Sequence, residues 1–143
     1  MGREMKRQLP VKGDIMAQEE LETTQGTRTL VVEDETLIRL DIVETLEAAG
    51  YEVVGQAGDG EQAIALAEEL QPELIVMDVK MPGIDGITAA DRILENQNCA
   101  IVMLTAFSQS ELVDRARDAG AMAYVVKPFT PAELIPAVEI AVS

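Results

Sequence analysis

From Thr29 onward the chain alternates two hydrophobic periods. Short β-branched or aliphatic runs begin near Thr29, Glu52, Leu74, Ala100 and Ala123, and each is followed by a stretch with apolar residues at helical spacing. Leu74, Ile75, Val76 and Met77 follow one another without polar alternation, as in a strand covered on both faces of a parallel sheet. Ile38, Ile42, Leu46 and Ala49 form one stripe of a first helix that opens just after Asp34 and ends at Gly50. Ala63, Leu66, Ala67 and Leu70 predict a second, capped by Asp59 and closed by Pro72. Asp85 caps a third through Ile87, Ala90, Ile93 and Leu94. Ser108 or Ser110 caps a fourth through Leu112, Ala116 and Ala119 to Gly120, and Thr130-Pro131 starts the last.

Five strands alternating with five helices through short loops imply parallel strands and right-handed crossovers, hence an α/β doubly wound five-stranded parallel sheet with helices on both faces. The common flavodoxin-like order, 2-1-3-4-5, sets the first and third strands side by side and opens a crevice at their carboxyl ends. Residues 1–28 keep no sustained period, and their five basic and five acidic residues cancel, so they are expected to form a disordered N-terminal extension to a single domain over 29–143. The last helix is apolar nearly all round through Leu134, Ile135, Val138, Ile140, Ala141 and Val142, which suits a partner surface; Pro136 weakens it by removing a backbone hydrogen bond.

Charge and composition narrow the chemistry. With 11 Lys and Arg against 26 Asp and Glu, the formal net charge is −15, the opposite of a nucleic-acid footprint, so no direct nucleic-acid binding by this chain is expected. No apolar run has membrane-spanning length and no signal-peptide core is present, which predicts a cytoplasmic protein without membrane contact. The lone Cys99 reads as a small buried filler. There is no histidine, which excludes imidazole acid-base catalysis and a phosphohistidine donor role.

The apolar run at Leu74 stops at Asp78, and Pro82, Gly83 and Gly86 punctuate the loop beyond it. Glu33 and Asp34 end the first strand, Thr105 the fourth and Lys127 the fifth, so these groups converge with Asp78 on one rim. Three neighbouring carboxylates repel one another unless a hard cation joins them, and Mg²⁺ suits an all-oxygen set. Asp78 is then placed as a nucleophile toward a phosphoryl group, with Lys127 and the Thr105 hydroxyl holding its oxygens. Each residue has a plainer reading: Asp78 as a strand end that starts a turn, Glu33-Asp34 as a solvated strand end and helix cap, Thr105 as a capping hydroxyl, Lys127 as a loop charge. Their shared rim favours the joint reading.

VVEDE at 31–35, VMDVKMPGIDG at 76–86, LTAF at 104–107 and VKPF at 126–129 resemble the response-regulator receiver domains of two-component signalling. The resemblance implies that Asp78 accepts phosphate from a sensor histidine kinase, and that Glu33, Asp34, Asp78 and the Lys80 carbonyl hold Mg²⁺. It further implies that Thr105, Ala106 and Lys127 bind the phosphoryl group and that the bond before Pro128 is cis. Thr105 and Tyr124 would form the switch, with a core-edge ring as the plainer role for Tyr124. Lys80 and Phe107 would border the path of hydrolytic water. VVEDETLIRLDI, GYEVVGQAGDG and LTAFSQSELVDRARDAGAMAYVVKPF are closest in look to receivers of ANTAR-type antitermination regulators. Output is then expected through the fourth helix, fifth strand and fifth helix, to an effector domain or a homodimer partner. Such a domain is regulatory and promotes only its own phosphorylation and dephosphorylation.

Two other classes use similar ingredients. A haloacid-dehalogenase-like phosphatase would turn over substrate with an aspartate, Mg²⁺, a Thr and a Lys. It carries its nucleophile on the first strand with a second aspartate two positions later, where this chain has Lys80. An interaction-only receiver would lack a site residue, and none is missing.

Overall fold

Along each strand successive side chains point to opposite faces, so an unbroken apolar run feeds two cores at once. The structure, a computed structural model, describes residues 26–106 and 110–143. In order these form β1 (Arg28–Val32), α1 (Thr36–Ala48), β2 (Glu52–Ala57), α2 (Gly60–Leu70), β3 (Leu74–Asp78), α3 (Gly86–Asn96), β4 (Ala100–Thr105), α4 (Ser110–Asp118), β5 (Ala123–Val126) and α5 (Pro131–Val142). The strands lie in the order β2-β1-β3-β4-β5, all neighbours parallel. This is the predicted 2-1-3-4-5 arrangement, with β1 and β3 adjacent.

Leu30, Val32, Ile75, Met77, Ile101 and Met103 pack with Ala63 and Ala67 of α2, Ile87, Ala90 and Ile93 of α3, and Ala116 of α4. The intervening Val31, Leu74, Val76, Val102 and Leu104 pack on the other face with Ile42 and Leu46 of α1 and with Leu134 and Val138 of α5. Three helices therefore cover one face and two the other.

The helix ends follow the chemistry read from the sequence. The Asp59 side chain accepts from the Gln62 N–H at 2.8 Å and Asp85 from the Thr88 N–H at 2.7 Å, so both aspartates act as N-caps. At α5 the Glu133 carboxylate reaches back to the Thr130 N–H at 3.0 Å, and Pro131 occupies the first turn. Pro136 is accommodated within α5, which continues to Val142. Gln71, rather than a glycine, takes the left-handed conformation that ends α2, at φ 48°. Ser110 begins α4; Phe107, Ser108 and the Leu112 side chain, all with expected roles, lie outside the described residues.

The fold begins earlier than position 29. The Gly26 N–H bonds the Gly50 carbonyl at 2.7 Å, and the Arg28 N–H bonds the Glu73 carboxylate at 2.9 Å. Arg28 also donates to the Gln71 carbonyl at 2.9 Å. The expected extension over 1–28 included Arg28, but its backbone belongs to β1, held by acceptors distant in sequence.

Candidate functional site

The carboxyl ends of β1, β3, β4 and β5 meet at one rim because backbone bonds continue past the strands. The Glu33 N–H reaches Ala57 at 3.0 Å, the Val79 N–H reaches Leu104 at 2.8 Å, and the Lys127 N–H reaches Thr105 at 2.7 Å. Each polar residue is thereby fixed one step from a buried ladder. Gly86, which opens α3, lies so close to the Asp78 carbonyl that a Cβ there would overlap it. The loop after Asp78 can fold back this tightly only with glycine at that place.

Glu33, Asp34 and Asp78 each offer a carboxylate oxygen within 4.8 Å of the others. Glu33 is fully buried and Asp78 nearly so, whereas Asp34 is exposed. Lys127 Nζ donates to Glu33 Oε1 at 2.6 Å and to Asp78 Oδ2 at 3.1 Å. The second Glu33 oxygen accepts from the Glu35 N–H at 3.1 Å. The shorter of the two Lys127 contacts, with Glu33, spans 94 positions and has no local sequence signal.

Three carboxylates and one ammonium leave the cluster with excess negative charge. Burial pushes the Asp78 carboxyl above its ordinary range; Lys127 pulls it down without prevailing, and Asp34 adds to the rise. Burial likewise raises Glu33, against its hydrogen bonds from Lys127 and the Glu35 N–H. For Lys127, burial alone would lower the pKa, but the hydrogen bond with Glu33 and the charge of Asp78 outweigh it and hold the ammonium above its usual value. The donor set is all oxygen and lacks positive charge, which fits a hard divalent cation such as Mg²⁺.

The remaining expected residues surround this cluster. Thr105 ends β4 and is buried; Ala106 is exposed beside it. Lys80 is exposed on the loop after Asp78, and the Lys127-Pro128 bond is cis. Tyr124 lies on the edge strand β5 with 44% exposure. Sequence reasoning missed an apolar flank: Leu37 and Leu40 of α1 are exposed, and a cavity of about 450 Å³ between Ile38, Ala106, Lys127, Pro128 and Phe129 adjoins the site. Three apolar residues within four positions, Leu37, Ile38 and Leu40, exceed what one buried stripe needs, and that surplus was the available signal.

Residues 29–139 match the response regulator receiver domain family. The chain belongs to that family. It is 60% identical over 116 residues to the transcriptional regulatory protein PdtaR of Mycobacterium tuberculosis, covering 81% of this chain and 57% of that protein. The receiver chain thus spans little more than half the length of that relative. It is 36% identical over 113 residues to the chemotaxis protein CheY of Thermotoga maritima, covering 78% of this chain and 94% of CheY. Among solved structures, a LuxR-family two-component response regulator from Aurantimonas sp. SI85-9A1 superposes with a TM-score of 0.78 at 33% identity, over 82% of this chain and 86% of that one. A chain of the CheX-CheY-BeF3-Mg²⁺ complex from Borrelia burgdorferi superposes with a TM-score of 0.77 at 26% identity, over 82% of this chain and 90% of that one. Among the described residues no helix is long and apolar enough to cross a membrane.

Proposed function

We propose that this receiver takes a phosphoryl group from a sensor histidine kinase onto Asp78, with Mg²⁺ held by Glu33, Asp34, Asp78 and the Lys80 carbonyl. The observation that carries this reading is the convergence of Asp78 with two further carboxylates and Lys127 at the carboxyl ends of adjacent strands. When bound, the metal supplies positive charge against the oxygens of the transferring group. An Asp78 oxygen attacks phosphorus, forming a P–O bond as the P–N bond to the kinase histidine breaks; the electron pair stays on the imidazole nitrogen. Lys127, already 3.1 Å from Asp78, is within reach of a phosphoryl oxygen there, and the Thr105 hydroxyl holds another. Ala106 leaves room for the group.

The apolar flank of Leu37, Leu40 and the Pro128-Phe129 cavity suits a protein donor, which must bring its histidine to this rim. Thr105 and Tyr124 lie on the adjacent strands β4 and β5, where Thr105 pairs with Val126 and Tyr124 with Met103, and form the switch toward the α4-β5-α5 surface. Because PdtaR is a transcriptional regulatory protein, and the motif details look like ANTAR-type receivers, we place the output in transcription control, through an effector domain or a second copy. The site of action is the cytoplasm, and the domain is a regulator without turnover of an external substrate.

Intact-mass measurement after exposure to acetyl phosphate tests this directly. The chain is expected to gain one phosphoryl group only with Mg²⁺, and Asp78→Asn to gain none. An unchanged adduct in that variant, or equal labelling without divalent metal, would overturn the assignment.

A further inference from the structure

The reading of the acidic cluster as a metal site leaves unexplained what fixes Asp34, whose side chain makes no hydrogen bond or ion pair among the described residues. Its position depends on the backbone on either side. Arg39, the only basic residue in α1, reaches back from the first turns of that helix. Its Nη1 donates to the Glu33 carbonyl at 2.7 Å, and its Nε donates to Gln56 Oε1 on β2 at 3.2 Å. Its own backbone N–H bonds the Glu35 carbonyl at 2.9 Å. One side chain therefore joins α1, the turn carrying Glu33 and Asp34, and the end of the neighbouring strand. A further feature separates Arg39 from an ordinary surface arginine: it is half-buried and forms no ion pair among the described residues. Its charge is spent on a carbonyl behind an acid cluster instead of on a carboxylate.

We propose that Arg39 is a positioning residue for the metal site, holding the turn so that Asp34 and Glu33 face Asp78. This rests on the reading of those carboxylates as metal ligands. The guanidinium is suited because its fixed fork serves two acceptors on different elements at once, which a lysine ammonium does with less geometric constraint. The Glu33 peptide is gripped at both ends, its N–H by Ala57 and its carbonyl by Arg39. Groups that orient metal ligands from behind typically change affinity by 10-fold to 100-fold when removed.

The test is Mn²⁺ binding to the unphosphorylated protein, followed by loss of the free-ion electron paramagnetic resonance signal at a temperature where every variant is folded. Arg39→Ala should weaken binding roughly 10-fold. Gln56→Ala, a change at an exposed side chain, should weaken it less but in the same direction, because the fork loses one anchor. Arg39→Lys should fall between wild type and Arg39→Ala, keeping charge without the double contact. A role confined to folding would lower the unfolding midpoint and leave the affinity of the folded protein unchanged. Binding within twofold of wild type in both Arg39→Ala and Gln56→Ala would overturn the positioning role, as would full rescue by lysine, which would reduce Arg39 to a bare charge. Should Arg39→Ala fail to fold, Gln56→Ala and Arg39→Lys decide by the same criteria. Absence of Mn²⁺ binding in the wild type would remove the site reading itself, and Arg39's role with it. Wild-type binding that is insensitive to these variants removes Arg39's role alone.

Discussion

The two rims of the sheet are made by the same five strands, yet only one carries concentrated charge. At the carboxyl rim Glu33 and Asp78 are buried beside Lys127, with Asp34 completing the cluster. At the amino rim a cavity of about 640 Å³, larger than the 450 Å³ beside Lys127, is bordered by Leu94, Cys99, Met122 and Val142, with Glu73 at its edge. Volume therefore does not mark the chemistry. What distinguishes the carboxyl rim is that several strands terminate in groups that cannot be desolvated separately, so each depends on its neighbours for charge compensation.

The sharpest way to break this contrast is to remove the ammonium that pairs with both Glu33 and Asp78. Lys127→Ala leaves Glu33 and Asp78 buried without their ammonium. In metal-free buffer this should cost roughly 2 kcal/mol of folding stability, less than the ~3–5 kcal/mol for breaking a fully buried pair because Lys127 retains some solvent contact. Urea denaturation measures it, and millimolar Mg²⁺ should recover much of the loss. If Lys127→Ala is as stable as wild type without metal, the rim does not depend on internal compensation.

Much of that rim was legible in the sequence. The buried run ending in Asp78, the Asp59 and Asp85 caps and the strand order all follow from local period and turn chemistry, which are written in neighbouring residues. The contacts that were not legible join distant positions. Lys127 meets Glu33 across 94 residues, Arg39 meets Gln56 across 17, and Arg28 is drawn into β1 by acceptors more than 40 positions away. No periodicity encodes such pairings; they follow from strand register and from side-chain reach. The same holds for Gln71, whose left-handed backbone would ordinarily be assigned to glycine.

A smaller effect comes from pH, and its sign sharpens the comparison. Asp78 and Glu33 are raised above their ordinary values of 3.8 and 4.5 by burial. A carboxyl raised in the folded state contributes stability that is present below its unfolded pKa and lost as pH rises through the folded value. The metal-free protein should therefore gain stability as pH falls from 7 toward those ordinary values, and Asp78→Asn should flatten the gain. Lys127, raised as well, contributes up to its ordinary 10.5 and loses that contribution as pH climbs through its folded value. Asp85 acts in another window: lowered by its bonds from Thr88 and Arg115 despite burial, it weakens the fold only below 3.8. Metal affinity should move oppositely to metal-free stability, decreasing on acidification because Mg²⁺ needs the ionised carboxylates. Denaturation midpoints and Mn²⁺ titrations between pH 5 and pH 8, run on wild type and Asp78→Asn, check both signs; an equal pH dependence of stability in the two proteins would contradict the account.

The smallest effect is expected at the amino rim. Cys99 is half-buried, and burial pushes its thiol up to about 11. At pH 8 its thiolate fraction is then lower than that of an ordinary thiol by roughly two orders of magnitude, so disulfide reagents should modify it slowly. The rate should not respond to Mg²⁺ or acetyl phosphate, because no charged group of the carboxyl rim borders this cavity. Cys99→Ser should accordingly leave Asp78 phosphorylation within twofold of wild type. Timed thiol labelling and intact-mass phosphorylation assays on the same preparations would show it. A labelling rate that changes severalfold on phosphorylation would mean that the rims exchange information through the strands or α5. The amino-rim cavity would then belong to the switch, and the separation between a charged working rim and a passive one would fail.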